Sequence, residues 1–513
     1  MSFPIPIWFL FVLWAAYFCL VALPRRRRAS RRLPPGPPRE YFIGNLRQMP
    51  TEKAPLVFHE WARKYGDILY LELPGQSIVV LDSLQAAEDL LDMRSAIYSD
   101  RPKFRLYELF GWTSSLTGLP YGKKLAKHRQ MHQSYLTRQK CVDYMPMQLQ
   151  EARDLVRNLV SSEPAGYETC LSRFATGIIT QIVSGHKIES DDDPYLRISK
   201  MALESLVRAE GTPGGTTMDF FPFLQYFPRW FPGTHYATVA NRWRPTVREL
   251  YNYSVQSVKD KRDSGDATPS FILSQLNEME TCDKETEEDE EDLKGTAGSM
   301  FAAGESTTWS ALSVFVLAMV LHPEYQLKAQ EELDKVIGTA RLPEFADRES
   351  LPYVECVYQE VFRWAPGVPL GVPHRCMEDN IYRGTMIPAG SIVYANIKGM
   401  CLDENTYWNP TAFSPQRYLP KPNGRGEPYF PAKFGFGRRV CTGQYLADNS
   451  IWIAVATLLA ACTIINAVDA DGKVIVPDGS MSYGLMSHPN EYRCVVKPQT
   501  AQIERMMMDR DAL

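Results

Sequence analysis

The ten cysteines of this 513-residue chain never stand as a C-x-x-C pair or in a regular framework, which argues against a disulfide scaffold and against a zinc site. Thiols scattered in this way suit a reducing compartment. No Gly-rich nucleotide-binding motif is visible, so the chain brings no flavin or dinucleotide domain of its own. Basic residues form no folded patch outside one cluster near the N-terminus, and a net charge of −4 singles out no partner, so nucleic acid is not expected. There is no internal repeat and no second domain boundary. What remains is one large body, 45% hydrophobic over the whole chain, in which helical spacing outweighs short strand-like pieces. The fold class expected is mainly α with minor β-sheets, in a single domain larger than the usual single-core size.

Residues 5–23 are uncharged and rich in Trp, Phe, Leu and Val, long enough for one membrane crossing. Arg25 to Arg28, Arg31 and Arg32 follow, and by the positive-inside rule they stay cytosolic. A cleaved signal peptide is the alternative, but the run exceeds an h-region and the charges lie on its wrong side. Pro34-Pro35-Gly36-Pro37-Pro38 then reads as a stiff, non-helical spacer. The expected organisation is an anchor at 1–24, a basic and Pro-rich linker at 25–39, a catalytic body at 40–500 and a tail at 501–513.

The most informative stretch is Phe434-Gly435-Phe436-Gly437-Arg438-Arg439-Val440-Cys441-Thr442-Gly443. An apolar run without proline, Gln444 to Ile464, follows it, so Cys441 sits at the mouth of a long helix whose free N–H groups favour a thiolate. Gly437 and Gly443 permit sharp turns and close backbone approach to a flat macrocycle. Phe434 would shield the sulfur, and Arg439 would fork onto a propionate. The stretch reads as a haem-iron cradle with Cys441 as the axial ligand; the bland alternative is a buried cysteine in a Gly-rich turn.

Phe434, Gly437, Arg439, Cys441 and Gly443 match F-x-x-G-x-R-x-C-x-G, and the chain thereby resembles the cytochrome P450 family. In detail it resembles fungal, membrane-anchored members of the O-methylsterigmatocystin oxidoreductase-like group. The resemblance covers nearly the whole chain and implies the P450 fold, haem b, and a body on the cytosolic face of the endoplasmic reticulum membrane behind a single-pass anchor.

Other motifs take their roles from that resemblance. Tyr121 to Arg129 is similar to the W-x-x-x-R helix that holds a haem propionate; Arg129 fits, but Leu125 replaces Trp, leaving His128 or a lysine as substitute donor. A solvated basic helix face is the alternative there. Ala303-Gly304-Glu305-Ser306-Thr307-Thr308, inside a helix expected over 293–321, resembles the oxygen-activating A-G-x-[DE]-T-T. Ala303 and Gly304 would leave room above the porphyrin and Thr307 would steer protons. The acidic slot holds Ser306, so either Ser306 relays protons with water or a helix bulge swings Glu305 inward. Glu360 and Arg363, at i and i+3, would form a structural lock with Arg417, whose segment has Gln416 and Tyr418 where the family pattern has Glu and Phe. His374, or its neighbour Arg375, would touch a propionate. Asp219 to Gly233 is aromatic and broken by prolines, which suits either an aromatic core or a loop dipping into the bilayer.

The implied activity is a haem-thiolate monooxygenase inserting one atom of O2 into a small hydrophobic substrate, a secondary metabolite such as a terpenoid or polyketide or an aromatic xenobiotic. Electrons come from NADPH through NADPH-cytochrome P450 reductase, with cytochrome b5 as a further donor, and Lys433, Arg438 and Lys127 are the docking candidates. An isomerase or dehydratase needing no reductase, and a non-catalytic haem sensor, are the other classes compatible with the signature. Loops at 104–112 and 482–486 are apolar enough to line a pocket for many substrates.

Overall fold

The computed structural model describes residues 32–162, 166–209, 215–220, 222–228, 230–232, 234–282 and 286–508. The expected anchor and Arg25 to Arg28 therefore lie outside the described residues. The helices that matter for the site are α1 (Lys123–Leu136), α2 (Met145–Ser161), α3 (Tyr167–Ser184), α4 (Pro194–Ala209), α5 (His235–Ser264), α6 (Glu287–Leu321), α7 (Pro352–Trp364) and α8 (Gln444–Ala461). The strands are β1 (Ile68–Leu73), β2 (Gln76–Leu81), β3 (His374–Arg375), β4 (Asn380–Tyr382), β5 (Thr385–Ile387), β6 (Ile392–Ala395), β7 (Cys462–Val468), β8 (Val474–Ile475) and β9 (Cys494–Pro498).

Helix α6 is the axle. Thr286 caps it, its hydroxyl accepting from Asp289 N–H at 3.1 Å, and Glu287 to Asp289 load its first turn with the negative charge a helix N-terminus favours. It ends at His322 because Pro323 cannot continue the backbone bonding. Nearly every side chain from Leu293 to Val320 is buried, against α3, α5 and α8. Among the described residues it is the one helix long and apolar enough to cross a membrane, but it is the core helix of the body. From Ser450 onward helix α8 is almost wholly apolar and packs against α2 and α6, which sets the cysteine loop before it against the core.

The sheets flank this helical core. Strands β1 and β2 form the hairpin expected around Pro74-Gly75, Gly75 taking φ +76° at the turn. Strand β6 adds parallel to β2, and β3 pairs with β6, giving the order β1-β2-β6-β3. This order puts His374 on the terminal strand of the sheet, where its side chain is buried. Strands β4 and β5 form a separate hairpin, and β7 lies between β8 and β9. The proline stretch is not a free spacer: Pro34 and Pro37 are buried, and Pro35 C=O accepts from Tyr70 N–H at 2.8 Å along β1.

Candidate active site

Cys441 lies three residues before α8, and its own N–H donates to Phe434 C=O at 2.9 Å, which closes the loop on itself. Gly437 makes the closure possible, with φ +54° and a position where a Cβ would stand 2.1 Å from Leu91 O. Gly443 has an ordinary φ of −90°, so the sharp turn expected of it is not formed there; its N–H points at the Cys441 sulfur instead. Burial pushes the Cys441 thiol up, against opposing pulls from Gly443 N–H and Arg129, so the helix end alone does not produce a thiolate. Yet Cys441 is solvent-accessible although protein surrounds it. The residue is thus open to solvent-sized space while many protein atoms lie around it. Phe434 is half-buried beside it, its ring 6.0 Å from that of Phe362.

Three guanidinium groups converge nearby. Arg129 donates twice to Val440 C=O at 3.2 Å, and Arg439 donates to Ser99 C=O and Leu119 C=O, each at 2.7 Å. The third, Arg101, carried no motif in the sequence; it donates to Val372 C=O and Pro373 C=O, each at 2.7 Å, and its buried Nε has no partner. Among the described residues none of the three has a carboxylate within ion-pair distance. Burial depresses all three, and repulsion from neighbouring guanidinium groups adds to it at Arg101, held far below its ordinary value, and at Arg439, lowered to about 10. His374, buried, donates Nδ1–H to Tyr98 C=O at 2.8 Å and lies close enough to Arg101 and Arg439 to be discharged by burial and by them. Arg375 faces the other way and pairs with Asp100 at 2.9 Å. A buried cationic cluster with an unpaired donor, beside an accessible buried sulfur, fits a group bearing carboxylates and a metal, as haem b does.

Leu125 is buried where a Trp donor was expected, and neither His128 nor a lysine replaces it. His128 contacts Asp292 at 3.0 Å, and Lys124 and Lys127 pair with the same carboxylate at 2.9 and 2.6 Å. The acidic start of α6 captures them. Lys433 is likewise no surface contact: it is largely buried over the rings of Tyr358, Phe362 and Phe434 and lies 3.3 Å from Asp448. Arg438 stays exposed against the Tyr121 hydroxyl.

Along the buried stretch of α6 the burial is loosest between Ala302 and Trp309. Ala303 is exposed and Thr307, one turn on, is half-buried, so a window opens on the helix. The Thr307 hydroxyl donates to Ala303 C=O at 2.8 Å, and Ser306 to Ala302 C=O at 2.6 Å. Gly304 does not widen this window; a Cβ there would meet Ile179 of α3 at 2.9 Å, so the glycine serves helix packing. The helix is regular through these residues, and the bulge that would turn Glu305 inward is not formed. Glu305 instead accepts from Ser172 of α3 at 3.1 Å, and burial raises it to about 7. A small cavity joins it to Ser306, Ser199 and Trp112.

The structural lock is complete. Glu360 pairs with Arg363 at 2.7 Å and with Arg417 at 3.1 Å, all three buried. Glu427, unforeseen in the sequence, pairs with Arg417 at 2.7 Å. Gln416 stands outside, accepting from Lys328 at 3.1 Å.

Comparisons with known proteins agree with this geometry. The sequence model of the family described as Cytochrome P450 matches residues 34–495. Three fungal relatives illustrate the match. "Cytochrome P450 monooxygenase 136" of Postia placenta is 37% identical over 490 residues, covering 95% of this chain and 92% of that protein. "Cytochrome P450 monooxygenase claR" of Ampulloclitocybe clavipes is 38% identical over 93% of this chain and 88% of its own length. "Cytochrome P450 monooxygenase ple1" of Rhodocybe pseudopiperita is 36% identical over 96% of this chain and 95% of its own.

Proposed function

The chain belongs to the cytochrome P450 family of haem b monooxygenases, and on that premise we propose that it inserts one oxygen atom into a small hydrophobic substrate, a terpenoid, polyketide or aromatic compound. The carrying observation is Cys441, open to solvent yet surrounded by protein and flanked by three guanidinium groups that have no carboxylate partner among the described residues. In this reading Cys441 would hold the haem iron through its sulfur, and Arg101, Arg129, Arg439 and His374 would hold the carboxylates of the group. Bound haem b supplies a thiolate-ligated iron, whose electron push favours O–O cleavage.

The residues of α6 handle protons. Thr307 borders the window: while its hydroxyl donates to Ala303 C=O its oxygen lone pairs can accept there, and rotation away from that carbonyl lets it donate in turn. Ser306 stands where the family has an acid, and water beside it completes the relay. The Glu360–Arg363–Arg417 lock holds the chain that precedes the cysteine loop in place.

Electrons reach the site from NADPH through a separate reductase, for which exposed Arg438 and the half-exposed Lys127 remain as contacts among the three cations proposed from sequence. Membrane attachment rests on the apolar segment at 5–23, and the exposed Phe223, Tyr226, Phe227 and Trp230 support a second contact with lipid. Incubation of the full chain with NADPH, the reductase and a mixed panel of terpenoid, polyketide and aromatic substrates tests the reading. A mass gain of one oxygen that requires NADPH supports it; conversion without NADPH would instead mark an isomerase or dehydratase.

A further inference from the structure

His132 is 3% exposed and uses both ring nitrogens. Its Nε2 lies 3.4 Å from Thr296 C=O on α6, and its Nδ1 lies 2.9 Å from the Thr442 hydroxyl, one residue beyond Cys441. A carbonyl can only accept, so the proton sits on Nε2, and a neutral ring then presents a lone pair at Nδ1. Burial pushes His132 down to about 3, which keeps the ring neutral. The Thr442 hydroxyl is therefore the donor. The carbonyl end is fixed as well, because the Thr296 hydroxyl donates to Asp292 C=O at 2.6 Å. One turn earlier on α1, Arg129 grips Val440 C=O, so Arg129 and His132 bracket Cys441 through its two neighbours.

We propose that His132 is a positioning residue for the thiolate: it engages the Thr442 hydroxyl, keeps that proton off the Cys441 sulfur, and ties the cysteine loop to the oxygen helix. A hydrogen bond to a ligating sulfur draws off electron density and raises the reduction potential of the iron it holds. The inference rests on Cys441 being the iron ligand, which the carbonyl spectrum of the unaltered chain tests separately.

The experiment is redox titration of the full-length haem protein, with ferrous carbonyl spectra alongside, for His132→Phe, His132→Asn, Thr442→Val and the double variant H132F/T442V. His132→Phe removes the acceptor and releases the hydroxyl, so the reduction equilibrium should move about tenfold toward the ferrous form, or about 59 mV upward. His132→Asn, whose side-chain oxygen can accept, should restore the parent potential, as should the double variant, which has no hydroxyl to release. Thr442→Val alone should leave the potential unchanged. An unshifted His132→Phe, or a shift that persists in the double variant, overturns the proposal. Should His132→Phe take up no haem, a potential shift in Thr442→Val or in His132→Asn overturns it, and parent values in both uphold it.

Discussion

Tyr418 donates its hydroxyl to Glu360 Oε2 at 2.8 Å, a bond that the phenylalanine of the family pattern could not make. Glu360 thus collects donors from Arg363, Arg417, Ser414 N–H and Tyr418 with no access to water. Tyr418→Phe removes one donor from a buried carboxylate and should cost about 1–3 kcal/mol. Glu360→Ala leaves two buried guanidinium groups without their shared carboxylate and should cost about 3–5 kcal/mol. Denaturant unfolding of both variants, with haem retention followed by absorbance, checks the ranking.

Arg101 gives effects of opposite sign in the two forms of the protein. Without an anion its charge is buried beside Arg129 and Arg439, so Arg101→Leu should stabilise the haem-free chain or leave it unchanged. With haem bound, the same change removes a charge-assisted hydrogen bond of about 1.5–3 kcal/mol, and haem should leave at least about tenfold faster. Thermal melts of the haem-free form and haem transfer rates from the loaded form measure the two halves.

The contrast between Arg101 and Cys441 shows what could be read in advance. The cysteine loop is local: its glycine, cysteine and following helix are contiguous, so spacing and residue type foretold the loop and the buried helix. Glu360 and Arg363 share one helix face and were equally legible. Arg101 precedes a proline in a segment with no motif, and its role exists only because β3, the cysteine loop and α1 converge on it. Lys433 failed for the converse reason, since a lysine reads as a surface charge until three aromatic rings are seen to cover it. Gly304 sits in a motif whose small residues point to the porphyrin, but the neighbour that needs the space is Ile179, about 125 residues away in the chain.

Glu305 makes stability depend on pH. Its folded value of about 7 lies above the ordinary 4.5, so between those values the folded state holds a proton that the unfolded state has lost. Stability therefore falls as pH rises across that window. Glu305→Gln cannot ionise and should remove this part of the fall, making the variant more stable than the parent at pH 8 by about 1–3 kcal/mol and no more stable at pH 4. Denaturant curves at the two pH values decide it, and the parent-minus-variant difference cancels the parallel contribution of Glu151, also raised to about 7.

Thr307→Ala should lower product formed per NADPH on the order of tenfold to 10²-fold while substrate binding is kept. Ser306→Ala should lower the same ratio, though less, since water can bridge its place. Coupling measured with the reductase separates the two; an unaltered ratio in Ser306→Ala would remove that residue from the relay.

The ferrous carbonyl spectrum of the purified full chain, compared with that of Cys441→Ser, tests the central claim most directly. The account predicts a thiolate-type Soret band in the parent and its loss in the variant. A parent that binds no haem, or a thiolate-type band that survives the loss of Cys441, would contradict it.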